Sequence, residues 1–301
     1  MELRYLRYFV AVAEELHFSR AAERLGISQP PLSQQIQALE RELGSRLLIR
    51  TNRRVELTEA GRLFLDEARD ILARTERASR LVSRVGRGET GRLRIGFTTS
   101  VPLIAALPRV LLDYRRHYPD VDLRMQELNS QRQIPPLLEG DLDIGIMRAT
   151  TLPDELQATL LLREPLVAVV NAASPQADER RPLSLAQLAT QPFVYFSPSA
   201  GTGLIDRFHA LFAKHGLTPR IVQEVGGPNT IISLVASGLG VSLLPESFRH
   251  IQIDNVRYRR LEDLDAVSEV WMAHARHRAT PQTKHFVALV KAITAPTSGP
   301  G

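Results

Sequence analysis

The stretch 18–37 most constrains this 301-residue chain, because two helical patterns meet there across a turn too short for anything but a fixed helix-turn-helix. Apolar spacing predicts a preceding helix over 3–16 with Leu6, Phe9, Val10, Ala13 and Leu16 on one face. Ser19 is placed to cap a short second helix, whose slim packing side is Ala21, Ala22 and Leu25. Gly26 ends it where a positive φ is tolerated, and Ile27 fills the gap between helices. Ser28 reads as the N-cap of a third helix, and Pro30 and Pro31 fit its first turn, where amides lack an intrahelical partner.

The third helix is asymmetric. Leu32, Ile36, Leu39 and Leu43 step by four, three and four and fix its buried face, leaving Gln29, Ser33, Gln34 and Gln37 outward. No acid occurs between Glu23 and Glu40. An amide and hydroxyl face suits base edges, since Gln can bond adenine bidentately and Ser can donate or accept. The alternative is a polar solvent face that touches nothing. Charge alone does not decide, although the net is +5 and only Lys214, Lys284 and Lys291 are lysines. The forked guanidinium suits phosphate and guanine, but arginine preference also follows from genome base composition.

Just beyond, Leu48, Arg50, Val55 and Leu57 alternate around a basic tip, suggesting a two-stranded wing. Arg50, Arg53 and Arg54 would then meet phosphates or enter a minor groove and fix register. The alternative is a basic hairpin in solvent. Thr58 can cap a long helix over 59–87, in which Phe64, Ala68, Ile71, Thr75, Ala78, Val82 and Val85 form a heptad seam. That seam suits the same helix of a second chain, and the arginine-rich outer face reads as solvated. From Gly91 onward strand-like runs alternate with helical stretches, as in an α/β domain, and the tail after Ala295 has no periodicity.

The run MELRYLRYFVAVAEELHFSRAAERLGISQPPLSQQIQALERELGSRLLIRTNRRVELTEAG resembles the N-terminal winged helix-turn-helix of LysR-type transcriptional regulators without a gap, and the remainder is compatible in length and layout. The resemblance implies a DNA-binding domain over 1–58, a linker and dimerisation helix over 59–87, and an effector-binding domain over 91–295 resembling a periplasmic binding protein. It implies two subdomains there, about 91–162 with 267–295, and about 163–266. It further implies a homodimer or homotetramer on an interrupted inverted repeat of double-stranded DNA, with RNA polymerase as a further partner. Residues matching Gln29, Pro30, Ser33 and Gln34 would face the major groove, and those matching Arg50 and Arg53 backbone or minor groove. Gln34 departs from the arginine that many such relatives carry, which removes a charge from the groove.

In the effector half, strands over 93–98, 121–128 and 193–197 run into hydroxyl-bearing loops that open helices, and another helix opens at Pro228-Asn229-Thr230. Ligands of open α/β sheets sit at such carboxyl ends, where free amides favour anions. Thr99, Ser100, Ser130, Ser199, Thr202 and Asn229 therefore outline a cleft for a small carboxylate, with Gly201 allowing close backbone approach. For each residue alone, an ordinary N-cap is the competing reading. The resemblance implies an aromatic or muconate-like acid bound by residues matching Ser100 and Ser130. Arg148 is the one candidate cation, with a surface salt bridge as its alternative.

No catalytic motif is found: Gly-x-Ser-x-Gly, a phosphate-binding Gly-x-x-x-x-Gly-Lys and a zinc-type cluster are all missing, and 201–206 is only a fragment of a dinucleotide fingerprint. His274 and His277 are spaced like weak metal ligands but more simply flank a strand end, so neither metal nor cofactor is expected. Cysteine is absent, which removes disulfides and thiolate chemistry. No apolar run approaches the roughly 20 residues of a membrane span. Glu14 and Glu15 cut short the apolar stretch after Arg4 and Arg7, unlike a secretory signal, so the expected compartment is the cytoplasm. A solute-binding protein is the remaining rival, and the first 90 residues argue against it.

Overall fold

The computed structural model describes residues 1–50 and 54–294. The chain divides into two compact units, Met1–Val85 and the part from Gly86 onward.

The first unit holds α1 (Leu3–Glu15), α2 (Phe18–Arg24), α3 (Gln29–Leu43), the hairpin β1 (Leu48–Arg50) and β2 (Val55–Leu57), and α4 (Glu59–Gly86). Leu6, Phe9, Val12, Ala21, Leu32, Ile36, Leu39 and Ala68 are its core. Each fully buried Leu, Ile or Phe contributes about 1.5–3 kcal/mol. The buried face of α1 is rotated from the expected one: Ala11 and Val12 are inside, while Val10 is half-buried. Leu16 is exposed, because the helix ends there on a left-handed residue at φ 46°. Ser19 lies inside α2, and the cap is His17, whose Nδ1 accepts from the Arg20 amide at 3.4 Å. Leu43 stays 37% exposed at the last turn of α3, although its spacing continues the buried row. The hairpin pairs Leu48 with Leu57 and Arg50 with Val55. Thr58 Oγ1 accepts from the Gly61 amide at 2.9 Å and donates to the Arg46 carbonyl at 2.8 Å, which caps α4 and ties it to the loop before the wing.

The second unit runs β3 (Thr90–Phe97), α5 (Ala106–His117), β4 (Asp120–Glu127), α6 (Ile134–Glu139), β5 (Ile144–Arg148), β6 (Leu156–Asn171), α7 (Leu185–Ala189), β7 (Pro192–Phe196), α8 (Gly203–Lys214), β8 (Arg220–Val225), α9 (Pro228–Ala236), β9 (Ser242–Pro245), β10 (Val256–Arg260), β11 (Val267–Ala275) and α10 (Pro281–Thr294). Its larger sheet has the order β10-β6-β11-β5-β3-β4, with β9 also on β6, and β7 pairs with β8 separately. Parallel β3, β4 and β5 are joined through α5 and α6, as parallel neighbours require a crossover. One core gathers Ile95, Val110, Tyr114, Ile144, Met272 and Phe286; the other gathers Val169, Phe193, Phe208, Phe212, Ile232 and Leu243. Leu161 on β6 and Val270 on β11 belong to the first core, and Leu166 and Ala266 to the second. The sixteen-residue β6 and its antiparallel partner β11 therefore cross between the two cores.

Candidate functional site

On α3, the spacing that buries Leu32, Ile36 and Leu39 leaves Gln29, Pro30, Gln34 and Gln37 exposed and Ser33 half-buried. Ser28 takes the N-cap conformation without any side-chain capping bond, so its exposed hydroxyl remains available to a partner. Ser19 Oγ donates to Gln29 Oε1 at 3.0 Å and holds that amide at the start of the helix. The result is an uncharged donor and acceptor surface on a helix fixed from behind by a packed core.

The wing is attached to this helix by one acid. Glu40 Oε1 accepts from the amides of Leu47 and Leu48 at 2.9 and 3.0 Å, and its Oε2 accepts from Arg50 Nη2 at 2.9 Å. The Arg50 guanidinium also donates to Ser33 Oγ at 3.4 Å and lies 4.9 Å over the ring of Phe18. The charge of Arg50 is thus drawn inward to a carboxylate on α3 itself. Arg54 is exposed, 3.9 Å from Glu56. Arg53 lies outside the described residues.

Part of the α4 seam is covered from within its own unit. Phe64 packs against Phe9 with ring centroids 5.3 Å apart, Ala68 is fully buried, and Ile71 packs on the same core. These three face their own unit, because a heptad row reports an apolar stripe and not whose surface covers it. Thr75 Oγ1 donates back to the Ile71 carbonyl at 2.9 Å. Farther along, Ala78, Leu81, Val82 and Val85 are exposed, Val82 at 71%.

In the second unit a cleft of about 310 Å³ opens where the two cores meet. Thr99, Ser100, Ser199 and Thr202 line it, joined by Thr98, Glu127, Asn129, Arg132, Phe196 and Phe248. Ser130 stands behind the wall, fully buried and with its Oγ lacking any hydrogen-bond partner. Gly201 is buried, and its carbonyl accepts from the Gln131 amide at 3.3 Å, a bond from one half to the other. Asn229 is exposed and lies outside the lining, its place taken by Gly226 and Pro228. Thr99 Oγ1 donates to Glu127 at 2.8 Å, so its proton is already committed.

The expected cation is present but deeper than a surface salt bridge. Arg148 is 1% exposed, and its Nη1 reaches Glu164 Oε1 at 2.5 Å and Ser268 Oγ at 3.2 Å. Its Nε donates to Ser100 Oγ at 3.0 Å, and Glu164 Oε2 accepts from the Ser247 amide at 2.8 Å. Burial pushes the guanidinium pKa down and the charge of Glu164 opposes that. A guanidinium has donors only, so the Ser100 oxygen must accept from it, and its own proton is left for Thr98 Oγ1, 3.4 Å away, or for another acceptor. Burial also pushes the Tyr195 hydroxyl pKa upward; that hydroxyl donates to the Leu204 carbonyl at 3.0 Å.

Glu127, Arg132, Phe196 and Phe248 escaped sequence reasoning because each sits on a different element. Only their convergence in space marks them, although Arg132 stands two residues past Ser130 in a flagged loop. Among the described residues no group of three or more His, Asp or Glu could hold a metal ion. His274 Nδ1 lies 3.1 Å from the Ala275 carbonyl on β11.

Comparison with known proteins bears on both units. Residues 3–62 match the model of the bacterial regulatory helix-turn-helix protein, lysR family, and residues 86–295 that of the LysR substrate binding domain. An uncharacterized HTH-type transcriptional regulator of Escherichia coli (strain K12), YnfL, is 51% identical over 287 residues, 95% of this chain and 96% of that one. Full-length CbnR complexed with its target DNA matches with a TM-score of 0.80 at 28% identity, over 98% of this chain and all of that one. The BenM effector binding domain with its effector benzoate matches with a TM-score of 0.62 at 28% identity, over 68% of this chain and 92% of that one.

Proposed function

This chain belongs to the LysR family of bacterial transcriptional regulators, and from that premise we propose that a small carboxylate in the cleft of its second unit controls its grip on DNA. It is a DNA-binding transcriptional regulator with an effector-binding domain, and not an enzyme. The DNA face in this reading is Ser28, Gln29, Pro30, Ser33, Gln34 and Gln37 on α3, set against base edges in a major groove. Arg53 and Arg54 of the wing supply phosphate or minor-groove contacts that fix register. Two copies, or four, would pair through the distal seam of α4, at the half-buried Thr75 and the exposed Ala78 and Val82, and present two recognition helices to an interrupted inverted repeat. The assembly works in the cytoplasm and passes its state on to RNA polymerase. Among the described residues no helix is long and apolar enough to cross a membrane.

The observation that carries the effector reading is Ser100, a cleft-lining hydroxyl whose oxygen accepts from a buried arginine and whose proton is left to Thr98 or to a bound acceptor. A carboxylate is the strong acceptor among small ligands, and hydroxyl donors at a strand end are the ordinary way to seat one. Ser199, Thr202 and the exposed Arg132 offer further donors around the same space. Glu127 sets the polarity of the ligand: its carboxylate repels the acid end, which belongs at Ser100, and suits a neutral or donor end. Phe196 and Phe248 give an aromatic body apolar walls, and benzoate in the BenM domain is a ligand of that kind. Binding to one degree of closure in preference to others would shift the two halves and thereby the grip on DNA.

The test is thermal stability and DNA bending measured with a panel of small acids, benzoate among them. At least one acid should raise the melting temperature and change the bend, and Ser100→Ala should abolish both responses. If no acid moves either quantity while the protein still binds DNA, the cleft has another role.

A further inference from the structure

We propose that Glu40 and Arg50 are positioning residues that set the placement of the Ser33 hydroxyl and of the wing, so that Arg50 serves sequence preference and not phosphate binding. The inference rests on the reading of α3 as the DNA face.

An arginine beside a recognition helix is ordinarily assigned to the phosphate backbone, where a mobile cation releases a counterion. Arg50 is held from several sides: its guanidinium meets three residues on two elements, Glu40 at 2.9 Å and Ser33 at 3.4 Å on α3, and the face of Phe18 at the start of α2, 4.9 Å away. Its side chain is 26% exposed and that of Glu40 13%, so the pair is shielded from water more than a surface ion pair. The opposite end of the Glu40 carboxylate takes the amides of Leu47 and Leu48, which open the wing and are buried in the core. A single carboxylate thus sets the position of β1 against α3.

Two consequences follow for recognition. First, Glu40 is the first acid along α3, and pairing with Arg50 neutralises a charge that would otherwise oppose a nearby phosphate. Second, Arg50 has no acceptor to offer, so the Ser33 oxygen accepts from it, which occupies one lone pair and holds the hydroxyl in place while its proton and second lone pair stay available to a base edge.

The experiment uses the full-length protein, a randomised duplex library for selection, and one fixed duplex of unrelated sequence for salt titration. Ser33→Ala first identifies the base position that Ser33 reads, as the position whose preference it flattens. Arg50→Met should flatten the same position and leave the slope of log K against log salt on the unrelated duplex unchanged. Glu40→Gln keeps an oxygen for the Leu47 and Leu48 amides but frees the guanidinium. It should steepen that slope by about 0.9, the value of one added phosphate contact, while weakening the same base preference. A drop in slope of about 0.9 with Arg50→Met would make Arg50 an ordinary phosphate contact and overturn the proposal. So would a Glu40→Gln protein that matches wild type in both slope and selected sequence. Failure of the wild-type protein to bind any duplex would instead strike the DNA face itself, so the two failures are distinguishable.

Discussion

The two units share one device and use it at different depths. In the first, Ser33 accepts from Arg50, which is held by Glu40; in the second, Ser100 accepts from Arg148, which is held by Glu164. In each case an arginine with no acceptor of its own binds the oxygen of a serine and leaves that serine's proton to another partner. The settings differ: the side chains of Arg50 and Glu40 are 26% and 13% exposed, those of Arg148 and Glu164 2% and 8%. Near water the pair is a cheap orienting clamp. In the interior each charge depends on its partner, because desolvation leaves it no other. The recognition face is therefore a surface that can be edited with little effect on folding, whereas the cleft is built into the stability of its own unit.

Removing the acid from the buried triad should have the largest effect. Glu164→Ala leaves a guanidinium uncompensated where β6 and β11 cross and should destabilise the second unit by about 3–5 kcal/mol. Arg50→Met should cost less than about 1 kcal/mol in the first unit. Calorimetry with hydrogen exchange resolved by unit measures both, and equal costs would break the contrast.

Next in size are two close backbone approaches that should cost about the same. A Cβ at Gly61 would fall 2.0 Å from the Leu47 carbonyl oxygen, and one at Gly203 would fall 1.9 Å from that of Ala149. Alanine at either forces a shift of the opposing chain, about 1–3 kcal/mol, seen as a lower denaturation midpoint. Thr58→Ala removes the cap that ties α4 to the loop before the wing and should cost about 1 kcal/mol in the first unit. Exchange protection should fall in the first turn of α4 and stay unchanged from Gly86 onward.

The smallest effect is on acid stability. The hydrogen bond from Arg69 holds the Glu14 carboxyl below its ordinary range; those from Arg260 and Arg163 do the same for Glu246 and Glu269. A carboxylate whose pKa is lower folded than unfolded adds stability above the unfolded value, and that stability is lost as pH falls through the folded one. Both units should therefore weaken only as pH drops below the ordinary carboxylate range. Added salt should blunt the effect, since these pairs are largely exposed. Acid titration at two salt concentrations, followed by circular dichroism, checks the sign.

Sequence reasoning reaches the first unit more easily because its signals are local. The row Leu32, Ile36, Leu39 states which side of α3 is inside, and the outward glutamines follow by subtraction. The same logic does not say whose surface covers Phe64 and Ala68, since periodicity marks a stripe and not its partner. Nor does it show that His17 rather than Ser19 caps α2, a matter of one residue in backbone conformation. In the cleft, Thr99, Ser100, Ser199 and Thr202 were visible as hydroxyls after strands. Glu164, Ser247 and Ser268 were not, because the buried pair of Arg148 and Glu164, 16 positions apart, gathers serines 83 and 120 positions away and leaves no spacing to read.

The claim on which the account turns is that the uncharged outer side of α3 reads base edges. Binding of the Gln29→Ala, Ser33→Ala double variant to a selected duplex and to an unrelated one, each titrated with salt, tests it most directly. The account predicts that the double variant binds both duplexes alike and keeps the salt slope of the wild-type protein on the unrelated one. A variant that weakens equally on both duplexes and still prefers the selected one would contradict it.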